Sequence, residues 1–407
     1  MREWKDTELG LIPEDWEIQN SSQYCLRVTD GTHDSPKSQD SGYPLITSKH
    51  IKGTTIDFSE AYLISEYDYY KINERSKVEQ YDVIISMIGE YCGFVYLEDN
   101  ENIEYAVKNV GLFKNKNLLD AQWLFYYLIS TIGKYQLKLR RGGTSQPYLS
   151  LQVLRNLPIL VPRNQEEKKS AASLLSCIDR KIENLRRQNE TLEAIAQTLF
   201  KHWFIDFEFP DADGKPYKSS GGGMWRSAIG DIPEGWQVIN LKHLMTLNYG
   251  KTLISETRIN GQYPVVGSNG IIGTHNDFFV NAPGIVIGRK GTIGKVIWIE
   301  ENFYPIDTTF YIEDNLGCNG LYFHYFILKN QKLNRLTSDS AVPGLNRDMA
   351  YSVEFAIPNI DQINKYNLTA KTLFNKINNN TNQIETLTKT RDALLPKLIS
   401  GQLRIEE

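Results

Sequence analysis

The sequence predicts an α+β protein written twice: two mixed α/β domains separated by two long helices of matched apolar spacing, an internal repeat. Three observations predict it. An opening phrase recurs, strand-like runs follow it in the same order, and two helical stretches share one apolar spacing. "GLIPEDWEI" at 10–18 returns as "GDIPEGWQV" at 230–238, an offset of 220. Tyr43-Pro44 and Tyr263-Pro264 keep that offset, "VIIS" from 83 meets "IVIG" from 285 at 202, and "WLFYYLI" from 123 meets "YFHYFIL" from 322 at 199. Pro147 and Pro162 meet Pro343 and Pro358 at 196, and "ETL" recurs from 190 to 385 at 195. The offset only falls. One unit copied in tandem reads this way when its first copy carries about 25 extra residues, the difference between 220 and 195.

Each copy opens with a mixed domain, residues 1–162 and 230–358, in which short β-branched and aromatic runs alternate with Gly, Asn and Pro. Each closes with a helix, 163–207 and 359–407. In the first helix Ile178, Ile182, Leu185, Asn189, Leu192, Ala196, Leu199 and Trp203 step alternately by 4 and 3. Leu373, Ile377, Asn380, Ile384, Leu387, Arg391, Leu394 and Leu398 step identically in the second. This is the heptad spacing of a coiled-coil seam. A single stripe would equally serve a helix lying on its own domain; two matched stripes favour pairing with each other. "PRNQEEKK" opens the first helix with a Pro and first-turn acids, and Gly401 ends the second. Residues 208–229 read as a linker, since "PDADGKPYKSSGGG" at 210–223 has the composition of an exposed joining segment. The chain therefore reads as two domain-plus-helix units.

Composition narrows the function. A chain of 407 residues with 41% hydrophobic and 11% aromatic residues is long enough and apolar enough for more than one core. Apolar runs such as "WLFYYLIS" break too soon to span a bilayer, and "MREWKDTELG" carries no signal core, so no membrane association and a cytoplasmic location are expected. Cys25, Cys92, Cys177 and Cys318 are isolated, the six His lack metal spacing, and His202 beside Trp203 reads as a packing residue. No metal is expected. A net charge of −4 confines any nucleic-acid binding to local basic patches.

Catalytic signatures are missing. "YGKT" at 249–252 lacks the preceding Gly of a phosphate-binding loop, Met245 standing there. "GRKGTIGK" at 288–295 lacks dinucleotide-binding spacing and reads as a turn. No two prolines are adjacent, which removes the base-gripping motif of an amino-methyltransferase, and no nucleophile elbow occurs. No catalytic residue is expected.

What remains points to recognition of DNA. "KYQLKLRR" places Lys134, Lys138, Arg140 and Arg141 together without an acid and runs into "GGTSQPY", where Ser145 and Gln146 offer hydrogen bonds. In the second copy Lys329, Lys332 and Arg335 precede "TSDSAVPGLNRD", which ends near Asn346 and Arg347. Late cations also complement a helix dipole, but their recurrence before a polar loop in both copies suits phosphate and base contact. Arg289, Lys290 and Lys295 on the Gly-rich turn are further candidates, although a solvated hairpin tip would carry such residues too.

Taken together, "GLIPEDWE" and "GDIPEGW" opening two domains, "LEAIAQTLFKHWFIDFEFP" at 192–210 and "LLPKLISGQLRI" at 394–405 resemble the DNA specificity subunit of type I restriction-modification systems, over the whole chain. The resemblance implies two target recognition domains and two spacer helices packed as an antiparallel coiled coil, a pseudo-two-fold arrangement. It also implies assembly on double-stranded DNA with two adenine methyltransferase subunits and two restriction (translocase) subunits. S-adenosylmethionine, ATP and Mg would belong to those partners, with no cofactor in this chain. Antiparallel helices in the order domain, helix, domain, helix would relate the domains by an approximate two-fold axis, as duplex half-sites are related. Different domain sequences then imply a split, asymmetric target. Two other readings stay open: a coiled-coil adaptor that does not read DNA, and a stand-alone DNA methyltransferase.

Overall fold

The computed structural model describes residues 3–143, 145–337 and 343–405. It divides into two compact units, one made of residues up to Glu183 together with those from Ile384, the other of Asn184–Gln383. These compact units cut across the domain-plus-helix repeats read along the sequence. The long helices run Gln165–Phe204 and Ile360–Ile399, and each unit takes a stretch of both. The reason is their antiparallel pairing, which is visible within each unit.

In the first unit a four-stranded antiparallel sheet has the order Val95–Leu97, Val83–Ser86, Val110–Lys114, Arg27–Asp30. Val83–Ser86 is buried along its whole length, as its unbroken apolar run requires of a central strand. A mixed three-stranded sheet pairs Tyr43–Thr47 in parallel with Ala106–Lys108, and Trp16–Asn20 pairs with Pro158–Pro162 to close the domain's start on its end. Helix Leu118–Ile129 begins where the Asn117 side chain accepts from the Asp120 N–H at 2.9 Å. Ser130 ends that helix and caps the next, Thr131–Arg140. Trp123 meets Trp16 edge-on at 5.6 Å and donates its Nε1–H to the Leu160 carbonyl at 2.9 Å. Leu395, Leu398 and Ile399 from the end of the second long helix complete this core. Asp179 of the first helix accepts from Arg391 of the second at 2.8 Å and from the Tyr126 hydroxyl at 2.9 Å, while Arg404 reaches Glu167 at 2.8 Å. Residue numbers rise along one helix as they fall along the other.

The second unit repeats the plan. Its sheet order is Met245–Tyr249, Thr309–Asp314, Gly284–Gly288, Val296–Ile299, again antiparallel throughout. Tyr263–Gly267 takes a parallel neighbour, Tyr304–Pro305, and Gln237–Asn240 pairs with Glu354–Ile357. Hairpin Met224–Ser227 with Gly230–Pro233 matches Trp4–Thr7 with Gly10–Pro13, so the repeat begins at 224, before the recurring phrase. Part of the stretch read as a linker is held down: Phe209 stacks on both Tyr217 (4.6 Å) and Trp236 (5.3 Å), and the Tyr217 hydroxyl donates to the Gly223 carbonyl at 2.9 Å. Phe200 and Phe204 of the first long helix pack on Phe323 and Tyr366, whose hydroxyl donates to the Ala196 carbonyl at 3.0 Å. Farther along, Asn380 donates its amide N–H to Asn189 Oδ1 at 2.9 Å.

None of the seam positions from Ile178 to Trp203, or from Leu373 to Leu398, is exposed. Near the second domain the deepest residues leave the heptad and step by four, as in Ala196, Phe200 and Phe204, because the helix there packs into a globular core. Among the described residues no helix is long and apolar enough to cross a membrane.

Candidate nucleic-acid interface

In both units one end of the four-stranded sheet gathers the same three parts: the end of the first strand, the tip of the central hairpin, and a later loop that docks on that tip.

In the second unit the first strand ends at Tyr249 and the hairpin turns between Gly288 and Val296. The Gly288 N–H donates to the Lys295 carbonyl and the Gly294 N–H to the Gly288 carbonyl, each at 2.8 Å. Gly294, at φ +77°, lies so close to the backbone of Asn334 that a Cβ would be 2.6 Å from its nitrogen. "GRKGTIGK" is thus a tight turn, and glycine is required by its geometry. The later loop attaches where the Leu345 N–H donates to the Arg289 carbonyl at 2.9 Å. The Asn346 side chain then accepts from the Asp348 and Met349 N–H groups at 2.9 and 3.0 Å, starting helix Arg347–Tyr351.

This brings Arg289 and Arg347 to the half-exposed Tyr249, their guanidinium carbons 5.2 and 5.1 Å from its ring centre. Arg289 donates to the Asp307 carbonyl at 2.7 Å, and the Nε of each arginine is buried without a partner among the described residues. Neither has a carboxylate partner among those residues, so the cluster keeps an uncompensated positive charge. Lys290 is exposed, and Lys295 donates to the Asn269 carbonyl and side chain, both at 2.9 Å. Lys332 and Arg335 are exposed around the 3-10 turn Leu333–Arg335. Lys329 instead pairs with Glu193 at 2.7 Å, alongside the Tyr325 hydroxyl, and acts as a brace within the unit. Residues 338–342 of the polar loop lie outside the described residues.

In the first unit the loop after Arg140 docks in the same manner. Gly142 and Tyr148 exchange backbone hydrogen bonds at 2.9 and 3.0 Å, the Gly89 N–H donates to the Pro147 carbonyl at 2.9 Å, and the Leu149 N–H to the Met87 carbonyl at 2.8 Å. Leu149 to Met87 and Leu345 to Arg289 are one contact made twice, at the repeat's own offsets of 196 and 202. Arg141 is exposed over the tip, where a Cβ on Gly93 would lie 2.5 Å from its Nη2. Arg140 turns back onto its own helix, donating to the Gln136 carbonyl at 3.3 Å. Lys134, Lys138, Ser145 and Gln146 are exposed, and Thr144 lies outside the described residues.

Sequence reasoning missed the aromatic component. Lys52 lies 4.2 Å from the ring centre of Tyr91 and donates to its hydroxyl at 3.2 Å, with Phe94 5.7 Å from the same ring. The signal was present in "GEYCGF" at 89–94, two aromatics on a glycine turn. A half-buried aromatic next to a cation, with the exposed Phe94 beside it, offers an apolar face and a phosphate contact in one place.

Of possible metal ligands, the described residues bring together Asp314, Cys318 and His324. The Asp314 carboxylate already accepts from the Leu316 N–H at 2.9 Å and the Cys318 N–H, and faces His324 Nε2 at 2.9 Å. Burial pushes the Cys318 thiol up to about 12. The group works as a turn cap.

The fold agrees with the comparisons. The family model described as the type I restriction modification DNA specificity domain matches residues 13–194 and again 233–389. The chain belongs to the DNA specificity subunits of type I restriction-modification systems. It is 28% identical to the type I restriction enzyme MjaIX specificity subunit of Methanocaldococcus jannaschii, over 100% of this chain and 97% of the relative. It is 23% identical to the HindI specificity subunit of Haemophilus influenzae, over 81% and 88%. The crystal structure of a type I system S subunit from M. genitalium shares the fold, with a TM-score of 0.58 at 18% identity over 94% of this chain and 96% of that one.

Proposed function

We propose that this chain reads a split, asymmetric target in duplex DNA, each unit reading one half-site, and does no chemistry itself. Adenine methylation and DNA cleavage fall to methyltransferase and restriction subunits, which carry S-adenosylmethionine, ATP and Mg, in the cytoplasm. One observation carries the reading. The same sheet end is built twice by the same backbone contacts, yet it presents different side chains: Arg289, Arg347 and Tyr249 in one unit, Arg141 and the Lys52–Tyr91 pair in the other. A shared frame with unlike contents suits two readers of unlike sequences. Lys134, Lys138, Arg141, Lys290, Lys332 and Arg335 are then phosphate contacts, and the exposed Ser145 and Gln146 are the candidates for base contact. The test is replacement of residues 16–155 by those of a relative, followed by methylation-sensitive sequencing of host DNA. One half of the methylated motif should change and the other persist; a change in both halves would sink independent reading.

A further inference from the structure

The first unit carries a polar constellation at this sheet end that has no counterpart in the second. Between Tyr43-Pro44 and "VIIS" the repeat offset falls from 220 to 202, so the first copy holds 18 residues that the second lacks. The structure places helix Glu66–Ser76 in this stretch. Among the described residues the second unit has no α-helix between Tyr263 and Gly284. Near its C-terminal end the inserted helix carries Arg75, whose guanidinium pairs through Nη2 with Asp30, the last residue of the first sheet strand.

Asp30 is 4% exposed, yet the two side chains it holds are open to solvent: that of Arg75 is 55% exposed and that of His33 63%. His33 Nε2 lies 3.1 Å from the other Asp30 oxygen, and its Nδ1 lies 3.0 Å from Asn109 Oδ1, so the ring is held at both ends. A buried carboxylate thus orients an exposed guanidinium, whose other donors have no partner among the described residues. Preorganisation of this kind lowers the entropy lost when a ligand is bound. Beside it lies a groove of about 510 Å³ lined by Thr32, Asp34, Ser35, Asp68, Lys71 and Arg75.

The lining decides what the groove receives. A phosphate would face Asp34 and Asp68 as well as the cations, whereas a base edge, with both donors and acceptors, meets complementary groups. We infer that Arg75, braced by Asp30, reads the O6 and N7 acceptors of a guanine in the half-site of the first unit. A guanidinium fork matches that pair of acceptors, and a lysine does not reproduce it. Asp30 is a positioning residue. The inference rests on the proposed DNA-reading function and adds to it a base and a residue.

The test uses the full chain in the complex assembled by the cell that encodes it, with Arg75→Lys and Arg75→Ala, read by methylation-sensitive sequencing and by the salt dependence of DNA binding. Both variants should lose preference for G at one position of one half-site by roughly 5- to 150-fold, with the other half-site intact. The salt slope for Arg75→Lys should be unchanged. An unaltered motif would overturn the inference. So would even loss of methylation over all sites in Arg75→Ala with full recovery in Arg75→Lys, which is the behaviour of a phosphate contact. If exchange of residues 16–155 changes a half-site while Arg75→Lys does not, this inference alone falls; if the exchange changes neither, the broader reading falls first.

Discussion

Asn189→Leu is a direct probe of how the long helices are held in register. Asn380 is 0% exposed, and its amide donates to Asn189 Oδ1 at 2.9 Å and to Gln188 Oε1 at 3.4 Å; its own Oδ1 has no partner among the described residues. Replacing Asn189 removes the better bond and leaves a buried amide nearly unsatisfied, a cost of about 1–3 kcal/mol. The new Leu, at a half-buried position, returns part of the roughly 1.5–3 kcal/mol of a full side-chain burial. The single variant should therefore lose about 1 kcal/mol. Asn189→Leu/Asn380→Leu removes both amides and their unmet bonds, and should be at least as stable as the parent. The two changes should couple by about 2 kcal/mol, well beyond the roughly 0.5 kcal/mol within which independent sites add. Urea unfolding of the parent, the two singles and the double measures this directly. Additive effects would refute the reasoning, since they would mean that the two amides do not depend on each other. The double variant should also lose sequence-directed methylation while staying folded, because a polar pair in an apolar seam fixes register at a cost in stability.

Two further outcomes are expected. Burial pushes the Asp82 carboxyl up to about 6 from its ordinary 3.8, although Lys114 lies 2.6 Å away and pulls it down. A raised folded-state pKa gives stability that is present below about pH 4 and lost as pH rises through 6, so Asp82→Asn should gain on the parent by about 3 kcal/mol between pH 4 and 7; an unfolding difference flat with pH would contradict this. Changing Arg140, Arg141, Lys332 and Arg335 singly to Ala should weaken DNA binding across all sequences and lower the salt slope by about one each. Arg140 should show the smallest effect, since it is spent on Gln136, and unchanged slopes would return these residues to a helix-dipole role.

The order of the fold was legible because hydrophobic spacing and turn residues are local signals: "VIIS" and "IVIG" are central strands, and the two heptad stripes are helices. The start of the second copy was less legible. Met224–Ser227 pairs with Gly230–Pro233 as Trp4–Thr7 pairs with Gly10–Pro13, but few side chains repeat because the hairpins are largely exposed. Which core each helix end enters was not legible for a different reason. A heptad shows that a helix has a partner, and only packing shows which core Leu395, Leu398 and Ile399 enter. At the site, Arg289 and Arg347 stood out as charges, but their meeting on Tyr249 depends on a strand end 40 residues from one and 98 from the other, by their numbers. Asp30, His33 and Arg75 have no sequence motif at all; an insertion and a strand end bring them together.

On the proposed reading, the distribution of burial lets the side chains that would meet DNA be changed on one scaffold. The phrases "LFKHWF" and "LLPKLI" place Phe200, Phe204, Leu395, Leu398 and Ile399 in the cores, where each full burial is worth about 1.5–3 kcal/mol and a truncation costs more than the transfer alone. The sheet-end side chains lie mostly at the surface on short turns, and surface substitutions away from caps and networks usually fall within about 0.5 kcal/mol. Side chains such as Lys290, Ser145 or Gln146 can therefore be exchanged with little effect on folding, provided the glycines and docking hydrogen bonds beneath them are kept. The braced Asp30–Arg75–His33 set is the exception. Its carboxylate is buried, so altering the reader at that point also disturbs the strand end, and a change of base preference there should require several residues to change together.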